Sequence, residues 1–381
     1  MPPQYTPSIL RLIERTLSEP LFLGIPIGLS LNDNLVVGLY NKRIHFNRKQ
    51  QWMAYAKICY YTLRIHCPHK NVALPPVRPV LVTCLSMNTR LKELMLPVVE
   101  AIGKDRCIVA CIGPALSSTI QGLKDVDWKQ AVPKAARIWR EEYQKCIPQW
   151  EKRLRRLCHE HRLPKGAHNL LTVNMLVNSQ YVAGCLALLS HWKPSIIVTE
   201  YDRNTYWSCL VLAAKALGIP TVTLVHGVMN ENAVGYTPVL ADRILCWGRL
   251  QKDTLIGEGE NPAKILEAGC PRLTRELPLS TGQAREKIGL DLKKDTIMLA
   301  TSPIDTEILQ KTVSAFCNAA EKAGNWNAFV RLHPSEKLAS YSAVAKKHPS
   351  VSFYENTAFS LNDALAAADI VVVRDSGVGS D

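Results

Sequence analysis

Four short clusters carry most of the chemistry this sequence could perform: Glu200-Tyr201-Asp202-Arg203, His226-Gly227, Arg331-Leu332-His333-Pro334, and the run from Arg374 through Asp375, Ser376 and Gly377 to Ser380. Each follows a short apolar run of strand length. In open parallel sheets ligands bind beyond the carboxyl ends of the strands, so polar residues there are weighed first. His226 follows a β-favouring run and precedes a glycine; its imidazole, titrating near neutrality, could take a proton from an acceptor hydroxyl. Glu200 and Asp202 could do the same job, and their spacing on a strand puts both on one face. Arg331 and His333 share that spacing, and Pro334 ends the strand. Guanidinium fork and imidazole could grip a phosphate, although the pair also suits a buried, hydrogen-bonded strand end. The run Asp375 to Ser380 reads either as a turn whose N–H groups converge on a phosphate or as a tight strand-to-helix turn. It is neither a Walker loop nor a dinucleotide fingerprint. No GxSxG elbow and no metal-ligand spacing occurs, so neither metal nor cofactor is expected.

The elements that must position these residues alternate. Apolar runs at Val80–Cys84 and Cys107–Cys111 flank a helical stretch from Arg90 to Ile102. A basic, helix-favouring block from about Val132 to Leu189 interrupts them. Alternation resumes with Ser195–Glu200, a helix from Thr205 to Leu217, Thr221–His226, Arg243–Trp247, a helix near Leu250 to Ile256, and Lys264–Ala268. Gly269, Pro271 and the polar stretch to Gly282 read as a domain junction. A second alternation follows: Thr296–Ala300, a helix from Asp305 to Ala323, Ala328–His333, Val351–Tyr354, a helix near Leu361 to Ala368, and Ile370–Val373. Short apolar runs alternating with helices predict parallel sheets covered on both faces. The last strand has no covering helix after it, so the second domain is expected to be incomplete.

Length and composition agree with that reading. The 381 residues exceed one comfortable core, and two domains are expected. Twelve cysteines lie scattered in apolar runs without a CxxC pair, which suits reduced thiols and a cytoplasmic setting. The net charge of +13 calls for an anionic partner: a phosphate-bearing substrate, an anionic lipid surface or nucleic acid. No zinc-finger or RNP-like pattern supports nucleic acid. Much of the positive charge lies between Lys134 and Lys165. That stretch is either a solvated helical face or, through Trp139, Tyr143 and Trp150, a contact with a membrane surface. Leu21 to Leu31, broken by Gly24, Pro26 and Gly28, is the nearest approach to a membrane span and falls short of one.

A longer succession of residues carries a resemblance: His226-Gly227, Tyr236-Thr237-Pro238, Ala241-Asp242, Trp247-Gly248, Gly259, Lys264-Ile265, Gly269-Cys270-Pro271-Arg272, and later Arg331-Leu332-His333-Pro334. It resembles bacterial surface-polysaccharide glycosyltransferases of the GT-B form. The likeness extends to CDP-glycerol glycerophosphotransferases and to capsule and lipopolysaccharide enzymes using CMP-activated Kdo or sialic acid, and spans about Ser195 to Asp381. It implies an α/β fold of two Rossmann-like parallel-sheet domains. The expected layout is a mainly helical N-terminal extension over 1–78, an acceptor domain over 79–275 with a helical insertion at about 130–190, and an incomplete donor-nucleotide domain over 283–381. It implies His226 as base, with Glu200 or Asp202 in that role in relatives using acidic sugars. Arg331, His333, Pro334, Ser376, Gly377 and Ser302 would meet the donor. The partners implied are a CMP-, CDP- or UDP-linked sugar and a glycan or lipid-linked acceptor, at the cytoplasmic face of the membrane. Where CMP-sialic acid enzymes often carry paired serines, this chain has Asp375-Ser376-Gly377. Two other readings stand beside this one: a UDP-sugar 2-epimerase, which shares a DSGG-like turn, and a binding protein that keeps the fold without activity.

Overall fold

A computed structural model describes residues 17–18, 21–31, 78–85, 89–113, 122–132, 137–163, 167–229, 233, 235–274, 279–302 and 306–373. The chain divides into two units, Met1–Arg272 and Leu273–Asp381.

The first unit begins with an antiparallel ribbon, β1 (Leu21–Phe22) and β2 (Ile25–Pro26), and a 3-10 turn over Ile27–Leu31. Most of 1–78, expected to be mainly helical, lies outside the described residues. A side chain at Gly28 would drive its Cβ to 2.1 Å from the Leu17 carbonyl oxygen, so only glycine allows this close approach. Seven parallel strands follow: β3 (Val80–Cys84), β4 (Cys107–Cys111), β5 (Lys124–Asp127), β6 (Ile196–Thr199), β7 (Thr221–Leu224), β8 (Arg243–Cys246) and β9 (Ile265–Glu267), in the spatial order β5-β4-β3-β6-β7-β8-β9. Val80 pairs with Cys107 on one side and Ile196 on the other. Every residue of β3 and β4 is buried, as expected of inner parallel strands. β5, sequence Lys-Asp-Val-Asp, is an edge strand whose charges keep other strands from pairing with it. It has no apolar run and was not expected.

Helices α1 (Thr89–Ile102), α2 (Trp128–Ala131), α3 (Arg137–Glu160), α4 (Ala167–Trp192), α5 (Thr205–Ala216) and α6 (Arg249–Gly257) cover this sheet and extend it. The basic block between β5 and β6 is the pair α3 and α4. α4 is long and apolar enough by composition to cross a membrane, but here its buried residues form the centre of the unit. Leu171, Met175 and Leu176 pack with Leu154 and Leu157 of α3 and with Phe22, Ile25 and Ile27 of the ribbon. Fully burying such a side chain stabilises by about 1.5–3 kcal/mol each. Tyr143 and Trp150 belong to this cluster, and the Trp150 indole N–H donates to the Leu21 carbonyl at 3.1 Å. Rings held in a core cannot settle among lipid headgroups, so these two do not serve the membrane contact expected of them. The outer face of α3 carries exposed pairs instead, Arg155 with Glu151 and Arg156 with Glu160.

The second unit opens on α7 (Thr281–Ile288), which starts at the end of the stretch read as a junction. Ser280 and Gln283 form a capping box at its start and Gly289 closes it in the left-handed region. Then come β10 (Asp295–Ala300), α8 (Thr306–Ala323), β11 (Trp326–Arg331), α9 (Ser342–Lys347), β12 (Val351–Tyr354), α10 (Leu361–Ala367) and β13 (Ile370–Val373). The parallel order is β12-β11-β10-β13. One core, with Val313, Phe316 and Val330, fills the α8 face; another, with Ala284, Phe329 and Ala364, fills the face of α7 and α10.

Candidate functional sites at the strand ends

In each sheet the strand order reverses once, between β3 and β6 and between β10 and β13. These are the places where open parallel sheets leave a crevice for ligands.

In the first unit the crevice between β3 and β6 is closed by Glu200. Its side chain is fully buried and accepts from the Leu85 N–H at 2.7 Å, the Trp207 indole N–H at 2.8 Å and the Thr83 hydroxyl. Burial pushes its carboxyl above the usual glutamate range, and the donors from Thr83, Trp207 and Leu85 pull it partly back. Asp202 is also buried and accepts from Leu240 N–H at 2.7 Å and Ala241 N–H at 2.8 Å. Here too burial raises the carboxyl against those N–H groups and the charge of Arg203. The strand stops at Thr199, so the two carboxylates do not share a strand face: Glu200 reaches toward β3, and Asp202 toward the 238–241 loop. Each carboxylate is buried and already accepts from donors of the protein itself, a departure from the one-face pair expected on a strand.

The same accounting places the motif residues around them. The Asp242 carboxylate holds Thr221 at the start of β7 through N–H and hydroxyl, at 2.9 and 2.8 Å. Glu260 accepts from Val239 N–H at 2.7 Å, and Lys264 donates to the Val239 carbonyl at 3.0 Å. Arg203 donates to the Pro238 carbonyl. These residues fix the loop that carries Tyr236.

His226 lies beyond the carboxyl end of β7, half-buried between two tyrosine rings. Tyr201 meets it edge-on at 4.7 Å between centroids, and Tyr236 lies at 5.2 Å with its hydroxyl 3.4 Å from Nδ1. Burial pushes the Tyr236 phenol well above its ordinary value, so it remains protonated near neutrality. The backbone beneath is fixed by Trp247, whose indole N–H donates to the Val225 carbonyl at 2.8 Å, and by Gln251, which donates to the Gly227 carbonyl at 3.2 Å. Tyr201 and Tyr236 stood inside quoted motifs without a role assigned to them, since nothing local marks two tyrosines as a histidine's neighbours.

In the second unit Ala300, Arg331, Tyr354 and Val373 form one transverse row at the carboxyl ends of the four strands. Arg331 is partly buried on the α10 side. One terminal nitrogen donates to the Phe359 carbonyl at 3.4 Å, while Nε is buried without a partner. Among the described residues no carboxylate pairs with this guanidinium, and burial lowers its pKa. Next to it, Thr301 N–H donates to the Arg331 carbonyl at 3.1 Å, and Thr301 and Ser302 are buried at the end of β10. His333 has left the strand. Its N–H donates to the Thr301 hydroxyl at 2.9 Å, and its Nδ1 accepts from the Ser335 N–H at 3.2 Å with the Ser335 hydroxyl at 2.8 Å. Pro334 is the second residue of a tight turn closed by Glu336 N–H to the His333 carbonyl at 2.9 Å. Its fixed φ shapes this turn. Ser376 and Gly377 lie outside the described residues. Arg331, His333, Pro334 and Ser302 are thus gathered at one end of the second sheet, whereas His226 belongs to the first unit. Among the described residues no group of three His, Cys, Asp or Glu side chains is disposed to hold a metal.

No protein-family model matches the sequence, and no curated protein matches it. Solved structures do. S. aureus MnaA in a co-structure with UDP is 13% identical, with 79% of this chain and 75% of that chain covered and a TM-score of 0.50. UDP-GlcNAc 2-epimerase from Neisseria meningitidis bound to UDP-GlcNAc is 12% identical over 79% and 78%, with a TM-score of 0.48. Anabaena HepE in complex with UDP and glucose is 12% identical over 77% and 73%, with a TM-score of 0.45. At these identities the likeness is one of architecture alone, and of the three only MnaA is similar enough to bear on it. With a seven-stranded and a four-stranded parallel α/β sheet, the chain has a fold of the GT-B glycosyltransferase type.

Proposed function

We propose that the chain binds a nucleotide-activated sugar through the carboxyl end of the second sheet and transfers the sugar to an acceptor hydroxyl. The observation that carries this reading is Arg331. A guanidinium partly withdrawn from water, with no carboxylate beside it among the described residues and its Nε unpartnered, is costly unless an anion completes it. A donor's phosphate would complete it. The chain leaves β13 at Val373, beside the end of β10, toward the Ser376-Gly377 stretch, which makes those residues candidates for further phosphate contacts.

In the reaction, the bond between the anomeric carbon and the phosphate oxygen breaks and its electron pair goes to the phosphate. Arg331 and the His333 ring would stabilise that charge. The acceptor oxygen bonds the anomeric carbon and its proton passes to a general base. On the first unit, His226 can accept a proton at Nε2 when Nδ1–H donates to the Tyr236 oxygen, which fixes the ring's tautomer. Kdo or another acidic sugar as cargo, a surface-glycan or lipid-linked acceptor, and a cytoplasmic place of work extend this proposal along the sequence resemblance. The exposed basic face of α3 is the part that would meet an anionic membrane.

The test is a thermal-shift series with CMP, CDP, UDP and GDP on wild type and Arg331→Ala. A ligand that binds the native state raises its apparent stability as concentration passes Kd. A cytidine or uridine nucleotide should shift the wild type and leave the variant unmoved; no response to any of the four sinks the reading. The rival 2-epimerase reading separates on incubation with UDP-GlcNAc, where release of UDP with a ManNAc-type product in the absence of acceptor would favour it.

A further inference from the structure

One carboxylate in the second unit collects more donors than its exposed turn requires. Glu336 accepts from the Thr301 hydroxyl at the end of β10, from the His333 N–H at 3.0 Å beyond β11, and from the Tyr341 hydroxyl at 2.7 Å in the turn before α9. Its own N–H closes the turn back to the His333 carbonyl. Three separate pieces of chain thus meet on one side chain. Tyr341 is buried, and burial together with the neighbouring carboxylate pushes its phenol well above the ordinary value, so it remains a donor. The group held in place is His333. With Nδ1 accepting from the Ser335 N–H, the neutral ring carries its proton on Nε2.

We infer that Glu336 is a positioning residue that fixes the backbone and ring tautomer of His333, so that Nε2–H serves as a donor to a phosphate. This rests on the nucleotide reading above. The carboxylate meets no ligand itself: its oxygens are taken by three donors, so it adds order at the anion site while its own charge is already hydrogen-bonded. A glutamine can replace it. The amide oxygen accepts from Thr301 and His333, and the amide nitrogen donates to a rotated Tyr341 hydroxyl. An alanine cannot.

The test uses the full chain as wild type, Glu336→Gln, Glu336→Ala, His333→Ala and the double variant His333→Ala/Glu336→Ala. Affinity for the nucleotide found to bind wild type is measured by calorimetry well below each melting temperature. The expected result is a loss of about tenfold for Glu336→Ala, the scale of one charge-assisted hydrogen bond, with near-wild-type binding by Glu336→Gln. Adding Glu336→Ala to His333→Ala should cost nothing more. Wild-type affinity in a folded Glu336→Ala, or a full further loss in the double variant, overturns the inference. The second measurement is the 15N shifts of the His333 ring, which need no ligand. A single Nε2–H tautomer in wild type and Glu336→Gln, mixed in Glu336→Ala, supports it. Unchanged shifts in Glu336→Ala overturn it, and absence of nucleotide binding with the expected shifts counts against the nucleotide reading alone.

Discussion

Two arginines of the second unit differ in one respect that sets them apart. Arg285, on α7 at the amino end of the sheet, donates through Nε to the Ala367 carbonyl at 3.0 Å and pairs with Asp369, whose carboxylate also accepts from Thr296 N–H at 2.7 Å. Arg331, at the carboxyl end of the same sheet, has one long bond to a carbonyl and, among the described residues, no carboxylate. The residue type is the same and the burial comparable in kind. At the amino end the protein supplies the counter-charge, and at the carboxyl end none of the described residues does. Residue type alone does not mark a site; the count of partners does.

The contrast can be broken experimentally, and the largest effect is expected at the satisfied end. Arg285→Ala strands the Asp369 carboxylate and the Ala367 carbonyl. Since Asp369 is 41% exposed, the cost is discounted to about 2 kcal/mol, read from the urea unfolding midpoint. Arg331→Met should do the opposite, raising stability by about 1 kcal/mol while abolishing the nucleotide response, because it replaces an uncompensated cation with an apolar chain of similar length. A destabilisation as large as that of Arg285→Ala would erase the distinction.

Glu200 sharpens it from the first unit, as a carboxyl-end group that is fully partnered. Its native pKa is raised by burial, so the folded protein keeps a proton over a range where the unfolded chain has released it. That contribution is complete below the ordinary glutamate value of 4.5 and is lost as pH climbs through the raised value. Melting temperatures across this range should therefore fall less steeply for Glu200→Gln than for wild type, with Asp202, also raised by burial, contributing to the slope that remains. A slope identical to wild type would mean Glu200 is not the titrating group. The smallest effect is Lys252→Ala, which removes a surface pair with Glu267 at 2.9 Å and should move stability by about 0.5 kcal/mol or less. It gives the floor against which the others are read.

How much of this was legible in the sequence follows the same line. Inner strands such as β3 and β4 announce themselves because both faces are covered and nearly every position is apolar. β5 is polar because edges are charged, and α7 hides in a polar stretch whose helix signal is a capping box rather than an apolar stripe. At the site, Arg331 and His333 stood out by spacing and by the proline after them. Glu200 and Asp202 stood out by the same reasoning, yet their partners lie from 7 to 115 or more residues away, at Thr83, Leu85, Trp207 and the 240–241 backbone. Glu336 went unmarked although His333 and Tyr341 lie only three and five residues away, because its link to Thr301 across 35 residues appears only in the fold.

The ribbon that opens the first unit has a consequence for synthesis. Its partners lie far along the chain: Leu21 awaits Trp150, and Ser30 awaits Asn178, whose amide donates to the Ser30 carbonyl at 3.1 Å and hydroxyl at 2.8 Å. A ribosome working at about 5–20 residues per second exposes this apolar segment for roughly ten seconds or more before Asn178 exists to receive it. Until α3 is made, Phe22, Ile25, Ile27 and Leu31 have no native neighbours from α3 or α4 to cover them, and until α4 is made the cover is incomplete. The interval from the synthesis of the ribbon to the end of α4 is thus the period in which a nascent-chain chaperone has most to protect, and slow codons within α4 would lengthen it.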